Sequence, residues 1–152
     1  MDKYLLVIDI QPSFNLEPYY SKVINFINEN RQNYKSIIAT RFLNTENSVF
    51  VKRLNFRKAM TKEKIPFKYD LLIDKFTCGV DKEICKVFFK NKMIDVVGCD
   101  TDACVLETCF NLFEEDIDFN ILTDYCYSTG GMDYHEAGIK VMERNFGKDI
   151  LI

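Results

Sequence analysis

Two kinds of apolar pattern alternate along the chain. Short, almost uninterrupted apolar runs are typical of strands buried on both faces of a sheet, and apolar residues spaced three and four apart indicate amphipathic helices. The runs predict five strands, at 4–10, 36–40, 70–74, 94–97 and 117–123. The periodic stretches predict helices at 20–30, 82–90, 104–113 and 135–144, and a short helix within 47–60. The apolar residues at 150–152 are a candidate for a short final strand.

This alternation of strands and helices determines the expected architecture. Strand–helix–strand units form parallel sheets with helices on both faces, so we predict the α/β class and a three-layer α/β/α sandwich. The 152 residues contain no internal repeat and no linker, which predicts one domain over 1–152. In such folds, ligands bind beyond the carboxyl ends of the strands. Candidate functional residues are therefore expected at that edge.

The stretch 93–113 combines a strand, a sharp turn after Gly98 and a helix, and it carries the strongest chemical signal. Cys104 lies in the first helical turn, where free N–H groups and the helix dipole favour a thiolate. The expected apolar stripe of this helix does not include Cys104; it comprises Leu106, Cys109, Phe110 and Phe113. Packing therefore gives no evident reason for Cys104, although a small core-filling cysteine is the alternative.

Two ionisable residues end strands at the same expected edge of the sheet. Asp9 ends the first strand and Lys75 ends the third. A buried carboxylate is costly unless it has a partner or a task, while a turn aspartate that caps backbone N–H groups is an equal alternative. Neither a glycine-rich dinucleotide motif nor a P-loop is present, so nucleotide binding loses its main support.

Charge and composition narrow the functional classes. The formal net charge of -3 argues against a general nucleic-acid or membrane-surface role. We interpret the basic stretch 52–68 as a solvated face. Six cysteines without CxxC spacing and a single histidine, His135, exclude a paired-cysteine or histidine-rich metal site. No leader and no apolar run of membrane-spanning length is recognised, so we expect a reducing cytoplasm with free thiols.

Three segments, taken in order, resemble the isochorismatase-like cysteine hydrolases, a superfamily that includes the nicotinamidases. They are VIDIQPSF at 7–14, IDKFTCGV at 73–80, and the stretch 96–128, which begins VVGCDTDACV. The resemblance implies a Rossmann-like fold with a mostly parallel six-stranded sheet in the order 3-2-1-4-5-6. It also implies hydrolase activity on a small-molecule substrate and a homo-oligomer, a dimer or larger.

The resemblance also assigns roles to residues. Cys104 would attack a carbonyl carbon and form a thioester acyl-enzyme, and Asp9 would take the thiol proton and return it to the leaving amine. Lys75 would hold Asp9 ionised and stabilise developing charge. Backbone N–H groups of Asp100 and Cys104 would form an oxyanion hole, with a cis peptide bond preceding Asp100. Phe14 would wall the substrate pocket, with simple core packing as its alternative.

Departures from the family pattern refine the expected reaction. Metal-dependent nicotinamidases have an Asp-x-His motif after strand two, where this chain reads TRFLN at 40–44, so we expect neither a metal nor another cofactor. Cys104 favours acyl chemistry over the ether hydrolysis of isochorismatases proper. The prediction is a metal-independent cysteine hydrolase of a small amide or related C–N bond. A non-catalytic binder or thiol sensor of the same fold is the main alternative, an ether hydrolase is the third, and His135 is interpreted as structural.

The six cysteines are expected to differ in reactivity. Cys109 is predicted to be buried and Cys85 half-buried. Three others lie near strand ends or turns, where exposure permits slow reaction: Cys78, Cys99 and Cys126. Only Cys104 combines a helix N-terminus with a proposed lysine neighbour, and both features lower the pKa of a thiol. We therefore predict that limiting iodoacetamide modifies Cys104 first.

Overall fold

The computed structural model describes residues 1–152 and contains one sheet flanked by helices. The strands are β1 (Lys3–Ile8), β2 (Ser36–Phe42), β3 (Leu71–Lys75), β4 (Met93–Cys99) and β5 (Phe119–Tyr127). The helices are α1 (Tyr19–Asn30), α2 (Val49–Leu54), α3 (Lys82–Phe89), α4 (Cys104–Glu114) and α5 (Met132–Phe146), with short 3-10 helices at Pro12–Phe14 and Arg31–Asn33. All neighbouring strands are parallel and follow the order β3-β2-β1-β4-β5. No helix combines the length and the apolar character that crossing a membrane requires.

The central strand β1 shows why the buried strands are unbroken apolar runs. Leu5 and Val7 face one hydrophobic cluster, which also contains residues of α1. Leu6 and Ile8 face the other cluster, which contains residues of α3, α4 and α5. Helices therefore cover both faces of the sheet, and the predicted α/β class and three-layer arrangement are confirmed.

The predicted sixth strand is wrong. Residues 150–152 add a single parallel bridge between Leu151 and Ile121. Backbone hydrogen bonds support it, including Ile121 N–H to Ile150 O (2.7 Å) and Ile152 N–H to Ile121 O (2.9 Å). Three residues provide too little ladder to form a strand, so the sheet has five strands, which follow the expected order for those five.

Strand β5 extends further than the sequence pattern predicts. The apolar run ends at Thr123, but β5 continues through Asp124 to Tyr127. Asp124 is exposed in this edge strand, and the register with β4 shifts between Val96 and Gly98. An exposed edge accommodates polar residues that interrupt the apolar pattern, which explains why the prediction ended the strand early.

The buried face of α4 differs from the predicted stripe. The buried residues of this helix are Val105, Thr108, Cys109 and Leu112. Of the predicted stripe only Cys109 is fully buried, and Phe113 is 50% exposed. Phe110 and Phe113 instead pack beside Phe146 of α5, with ring centroids 4.9 and 5.2 Å from its ring. These aromatic residues fill the space between two helices rather than facing the sheet.

Gly98 brings the carboxyl ends of β1 and β4 together. Its φ of 126° lies in a region that favours glycine, and a Cβ at this position would lie 2.1 Å from the carbonyl oxygen of Ile8. Ile8 and Gly98 are the last register pair between these two strands. Only glycine therefore fits here, and the turn after β4 lies directly beside the turn after β1.

Candidate active site

A cavity of about 200 Å³ opens at the carboxyl edge of the sheet. Four of the five residues predicted for the site line it, namely Asp9, Phe14, Asp100 and Cys104. The fifth, Lys75, contacts Asp9 from the end of β3. The structure therefore brings the predicted site residues together at the edge where open α/β sheets bind ligands.

Asp9 follows β1 directly and is held in a fixed orientation. Its φ of 52° lies in the left-handed region that non-glycine residues rarely adopt. One carboxylate oxygen accepts from the hydroxyl of Thr40 (2.7 Å) and the other from the ammonium of Lys75 (2.6 Å). The Asp9 N–H in turn donates to Thr40 Oγ1 (3.1 Å). These contacts from β2 and β3 offset the local backbone strain and hold a buried carboxylate at the cavity.

Lys75 is buried and keeps its charge. Its Nζ donates to Asp9, to the carbonyl oxygen of Thr77 (3.2 Å) and to that of Cys78. It also lies 5.3 Å from the centre of the Phe42 ring. Burial disfavours the ammonium, but the negative charge of Asp9 and its hydrogen bond with Lys75 outweigh burial and raise the pKa of Lys75. Lys75 therefore remains protonated beside Asp9.

Cys104 is the first residue of α4, and the backbone around it has unused hydrogen-bond donors. Ala103, which precedes the helix, provides no side-chain cap. The N–H groups of Asp100 and Cys104 donate to no acceptor within the protein. Both residues line the cavity, and the peptide bond between Cys99 and Asp100 is cis, as the resemblance implies. Two residues of the cavity wall, one of them Cys104 itself, therefore have backbone donors without an acceptor.

The turn between β4 and α4 is held in place by polar contacts from outside the cavity. The Asp100 carboxylate accepts from both the N–H and the hydroxyl of Thr129 (2.8 Å each), and burial raises its pKa. His135, on α5, forms a hydrogen bond through Nδ1 with the hydroxyl of Thr101 (2.7 Å). The only histidine thus contacts the turn and does not line the cavity.

Apolar side chains form much of the cavity wall. Phe14 lines it as predicted, and four further apolar residues do so as well: Phe42, Phe50, Leu54 and Phe56. Phe14 and Phe56 stack with ring centroids 6.3 Å apart, and Phe42 meets Phe50 edge-on at 5.3 Å. Sequence reasoning missed these residues because Phe42 ends β2 and the others lie in or just after α2, a stretch without a regular apolar period.

Polar contacts anchor the irregular stretch after α2 over the end of β1. Glu63 accepts from the Ser13 N–H (2.7 Å) and from the side-chain amide of Gln11 (3.0 Å). The Ser13 hydroxyl oxygen accepts from the Ala59 N–H (3.0 Å). The basic residues of this part of the chain are exposed and none lines the cavity; they are Lys52, Arg53, Arg57, Lys58, Lys62, Lys64 and Lys68.

The cysteines separate into a buried group and a partly exposed pair. Cys85, Cys99, Cys109 and Cys126 are buried, whereas Cys78 and Cys104 are partly exposed. The prediction for Cys109 is confirmed. The expected half-burial of Cys85 is wrong because α3 turns this residue into the core. The expected exposure of Cys99 and Cys126 is wrong, because both residues are buried. Cys99 is the last residue of β4, and Cys126 lies in β5.

Cys78 and Cys104, the two partly exposed cysteines, both line the cavity. Interaction with Cys104 and the charge of Lys75 lower the pKa of Cys78 against the effect of burial. Interaction with Cys78, burial and the charge of Asp9 raise the pKa of Cys104. The expectation of a lowered pKa at Cys104 is therefore wrong for the resting site, where Cys104 needs a base to lose its proton.

Solved structures at low sequence identity share this fold. A pyrazinamidase/nicotinamidase from Streptococcus mutans has a TM-score of 0.76 and 14% identity, covering 99% of this chain and 99% of that chain. An N-carbamoylsarcosine amidase from Thermoplasma acidophilum has a TM-score of 0.74 and 12% identity, covering 97% and 94%. A pyrazinamidase of Pyrococcus horikoshii in complex with zinc has a TM-score of 0.71 and 17% identity, covering 95% and 96%. No curated protein sequence matches the chain.

The residues at the end of β2 and just beyond it do not form a zinc site. Zinc prefers imidazole, thiolate and carboxylate ligands. At 40–44, Thr40 is bonded to Asp9, Phe42 lines the cavity, and the Asn44 amide donates to the carbonyl oxygen of Phe56 (2.7 Å). No group of three His, Cys, Asp or Glu side chains is arranged to hold a metal ion.

A family model described as the Isochorismatase domain matches residues 3–150. The match spans nearly the whole chain and includes the strand ends that carry Asp9 and Lys75 and the helix that begins at Cys104. The parallel sheet with helices on both faces agrees with it. The chain therefore belongs to the isochorismatase-like family of hydrolases.

Proposed function

We propose that this chain is a metal-independent cysteine hydrolase that cleaves a small amide or related C–N bond. One observation carries the proposal: a buried carboxylate paired with an ammonium, a thiol at a helix N-terminus and two free N–H groups occur together at one cavity. These are the parts that acyl transfer through a thioester needs, namely a base, a nucleophile and donors for the oxyanion.

In the proposed reaction, Asp9 accepts the proton of Cys104 as the sulfur attacks the substrate carbonyl carbon. The carbonyl oxygen gains negative charge near the Asp100 and Cys104 N–H groups, which have no other acceptor in the protein. Asp9 then returns the proton to the leaving nitrogen as the C–N bond breaks and a thioester remains. Water activated by Asp9 cleaves the thioester and restores the Cys104 thiol.

The raised pKa of Cys104 fits this sequence of proton transfers. A thiol that stays protonated at rest becomes a nucleophile only when Asp9 takes its proton. Lys75 keeps its own proton throughout, since its pKa is raised, and its charge stabilises Asp9 before the transfer and the sulfur afterwards. Thr40 orients Asp9 through its hydroxyl and leaves the carboxylate facing the cavity.

The cavity wall supports an uncharged, apolar acyl group as the substrate class. Four phenylalanine rings and Leu54 line it, and no Lys, Arg or His side chain contributes to it. A substrate carboxylate would lose its hydration there without gaining a cationic partner. Two structural neighbours are named as amidases for nicotinamide or pyrazinamide and for N-carbamoylsarcosine, which supports C–N bond cleavage as the reaction type.

Ammonia release from a panel of primary amides tests this proposal. We expect turnover of small uncharged aromatic or aliphatic amides and little turnover of the same skeleton carrying a carboxylate. Cys104→Ala should abolish turnover, whereas Cys109→Ala, a buried cysteine of the same helix away from the cavity, should retain it. Release that is unchanged in Cys104→Ala, or that requires added metal, would contradict the proposal.

Two further properties implied by the resemblance are also proposed. We expect a homo-oligomer, because apolar side chains such as Val87, Phe88 and Phe113 are exposed on the helical layer. We expect the protein to reside in a reducing cytoplasm, because all six of its cysteines are free. Sedimentation of the full chain at micromolar concentration tests the first; monomer alone at that concentration would contradict it.

A further inference from the structure

The proposed hydrolase reaction gives no role to Cys78, which lines the cavity. Cys78 lies in the loop between β3 and α3, and it is partly exposed and lines the same cavity as Cys104. The remaining cysteines are buried. Cys99 also borders the cavity, but its thiol is directed to the Asp9 carbonyl oxygen (3.5 Å). The cavity therefore contains one accessible pair of thiols.

The loop that carries Cys78 is fixed against α4, the helix that carries Cys104. The Val80 N–H donates to the Thr108 hydroxyl (3.1 Å), and the Asn111 amide donates to the Val80 carbonyl oxygen (2.7 Å). At Gly79 a Cβ would lie 2.7 Å from the side chain of Glu107, so the loop backbone packs directly on α4. These contacts hold the two thiols in a fixed relation to each other.

Lys75 joins this loop to the active site. Its ammonium donates to the carbonyl oxygen of Cys78 and to the Asp9 carboxylate. A positive charge beside two thiols favours a thiolate in the pair, and the thiolate is the form that reacts with oxidants. The two cysteines thus share a cavity, lie on segments that are packed together and have an ammonium group nearby. These features favour thiol oxidation, which amide hydrolysis does not require.

We propose that Cys78 and Cys104 form a redox-active dithiol, which a hydroperoxide closes to an intramolecular disulfide and a thiol reductant reopens, switching the hydrolase off and on. One sulfur attacks the peroxide, the O–O bond breaks, and a sulfenic acid forms while water or an alcohol leaves. The second sulfur attacks the sulfenic acid, an S–S bond forms and water leaves. The two thiols are oxidised by two electrons and the peroxide is reduced by two.

This arrangement has a chemical consequence for the proposed nucleophile. An isolated sulfenic acid is open to further oxidation to sulfinic acid, which ordinary thiols do not reverse. A neighbouring thiol intercepts the sulfenic acid as a disulfide, which dithiols reduce. Cys78 would therefore preserve Cys104 during exposure to peroxide, at the expense of activity while the disulfide persists.

Peptide mapping of the full chain under non-reducing conditions tests the inference directly. After treatment with a small excess of hydrogen peroxide, we expect loss of two of the six titratable thiols, one cross-linked pair of peptides containing Cys78 and Cys104, and recovery of both thiols with dithiothreitol. Six remaining thiols, a different cysteine pair or a bond between two copies of the chain would each overturn it. These readouts are independent of hydrolase activity, so they stand even if no amide is turned over.

Variants of Cys78 test whether this residue protects Cys104 from irreversible oxidation. In Cys78→Ser, dimedone should trap a sulfenic acid on Cys104, and continued peroxide should give a sulfinic acid that dithiothreitol does not reverse. Cys78→Ala serves as a second variant if the serine side chain disturbs folding. Cys109→Ala, the matched control, should form the Cys78–Cys104 disulfide as the wild type does. Full recovery of Cys104 by dithiothreitol in both Cys78 variants would contradict the protective role.

Discussion

Asp9 and Asp95 are both only 1% exposed, yet they occupy very different surroundings. Asp95 lies in β4 and accepts from the Tyr34 hydroxyl (2.8 Å), the Lys3 ammonium (2.8 Å) and the Asn120 amide (3.1 Å). These three protein donors satisfy its carboxylate, and Asp95 is not among the residues that line the active-site cavity. Burial of Tyr34 and its bond to Asp95 raise the pKa of that phenol.

Asp9 differs in its partner and in what it faces. The Lys75 side chain that pairs with it is 5% exposed, whereas the Lys3 side chain that pairs with Asp95 is 45% exposed. Asp9 also borders the cavity that contains a thiol. A buried ion pair is thus not in itself a sign of catalysis; the sign is a buried pair beside a cavity and a group that can exchange a proton with it.

Replacement of each carboxylate in turn should have the largest effect and should separate the two regions. We expect Asp9→Asn to reduce kcat/KM about 10²–10⁴-fold, the usual contribution of a positioned general base. Asp95→Asn should leave kcat/KM within a few-fold of the wild type, because neither Asp95 nor its hydrogen-bond partners line the cavity. Ammonia release from the best amide substrate, with circular dichroism to verify folding, measures both. Equal losses of kcat/KM in the two variants would contradict a catalytic role that belongs to Asp9 alone.

Denaturation by urea should then separate the two ion pairs by stability. Lys75→Met leaves the Asp9 charge buried and unpaired, so we expect a loss of about 3–5 kcal/mol in the free energy of unfolding. The double variant with Asp9→Asn should recover most of that loss, because both charges are then absent. Lys3→Met should cost only about 1 kcal/mol, because Lys3 is half-exposed and the Tyr34 hydroxyl and the Asn120 amide still donate to Asp95. A loss for Lys3→Met as large as that for Lys75→Met would contradict this ranking.

The stability contributed by the Lys75 charge should also depend on pH in a defined direction. The pKa of Lys75 is raised in the folded protein, so its contribution is present below the unfolded value of about 10.4 and is lost as pH rises through the higher folded value. The difference between wild type and Lys75→Met should therefore be constant from pH 7 to 9 and shrink as the pH rises above about 10.4. A difference that grows with alkaline pH would contradict the assignment.

The sequence pattern predicts a functional role for Asp9 but gives no signal for Asp95. Asp9, Lys75 and Cys104 were predicted because each follows an apolar run in a βαβ order, and such runs place their ends at one edge of a sheet. Asp95 attracted no prediction because it lies inside an apolar run, where its partner Tyr34 is distant in the sequence. Local pattern thus indicates where a strand ends, but not which distant groups satisfy a buried charge.

Other parts of the site depend on contacts that no local pattern encodes. Phe42, Phe50 and Phe56 reach the cavity because Glu63 and Ser13 fix the stretch after α2 over β1. The position of Cys78 beside Cys104 depends on the packing of its loop on α4. The same limitation reversed the expected pKa shift of Cys104, since the effects of Cys78 and burial were not visible in the sequence.

Thiol titration gives a smaller but more selective test. We expect limiting iodoacetamide to modify only Cys78 and Cys104, with the first ionisation of this pair below the ordinary thiol pKa of about 8.5 and the second above it. Cys78→Ala should replace the two steps by one, and Lys75→Ala should move the first step to higher pH and slow modification near neutrality. Mass mapping against pH measures this. Modification of Cys109 or Cys126 before either cavity thiol would contradict it.

The smallest expected effect concerns the apolar wall that Asp9 faces and Asp95 lacks. Phe14 presents its ring to the cavity and stacks on Phe56, while the Tyr127 hydroxyl holds its carbonyl oxygen (2.6 Å). Phe14→Leu keeps an apolar side chain but removes the flat ring, so we expect KM for an aromatic amide to rise about 2–10-fold, in line with aromatic contacts of about 0.5–1.5 kcal/mol. KM for a short aliphatic amide should change less, because it gains little from ring stacking.

Tyr34→Phe is the matched control at Asp95. It should lower the free energy of unfolding by about 1–3 kcal/mol and leave both KM values unchanged. A KM change in Tyr34→Phe that equals that in Phe14→Leu would contradict the assignment of Phe14 to the substrate wall and of Tyr34 to the Asp95 region alone.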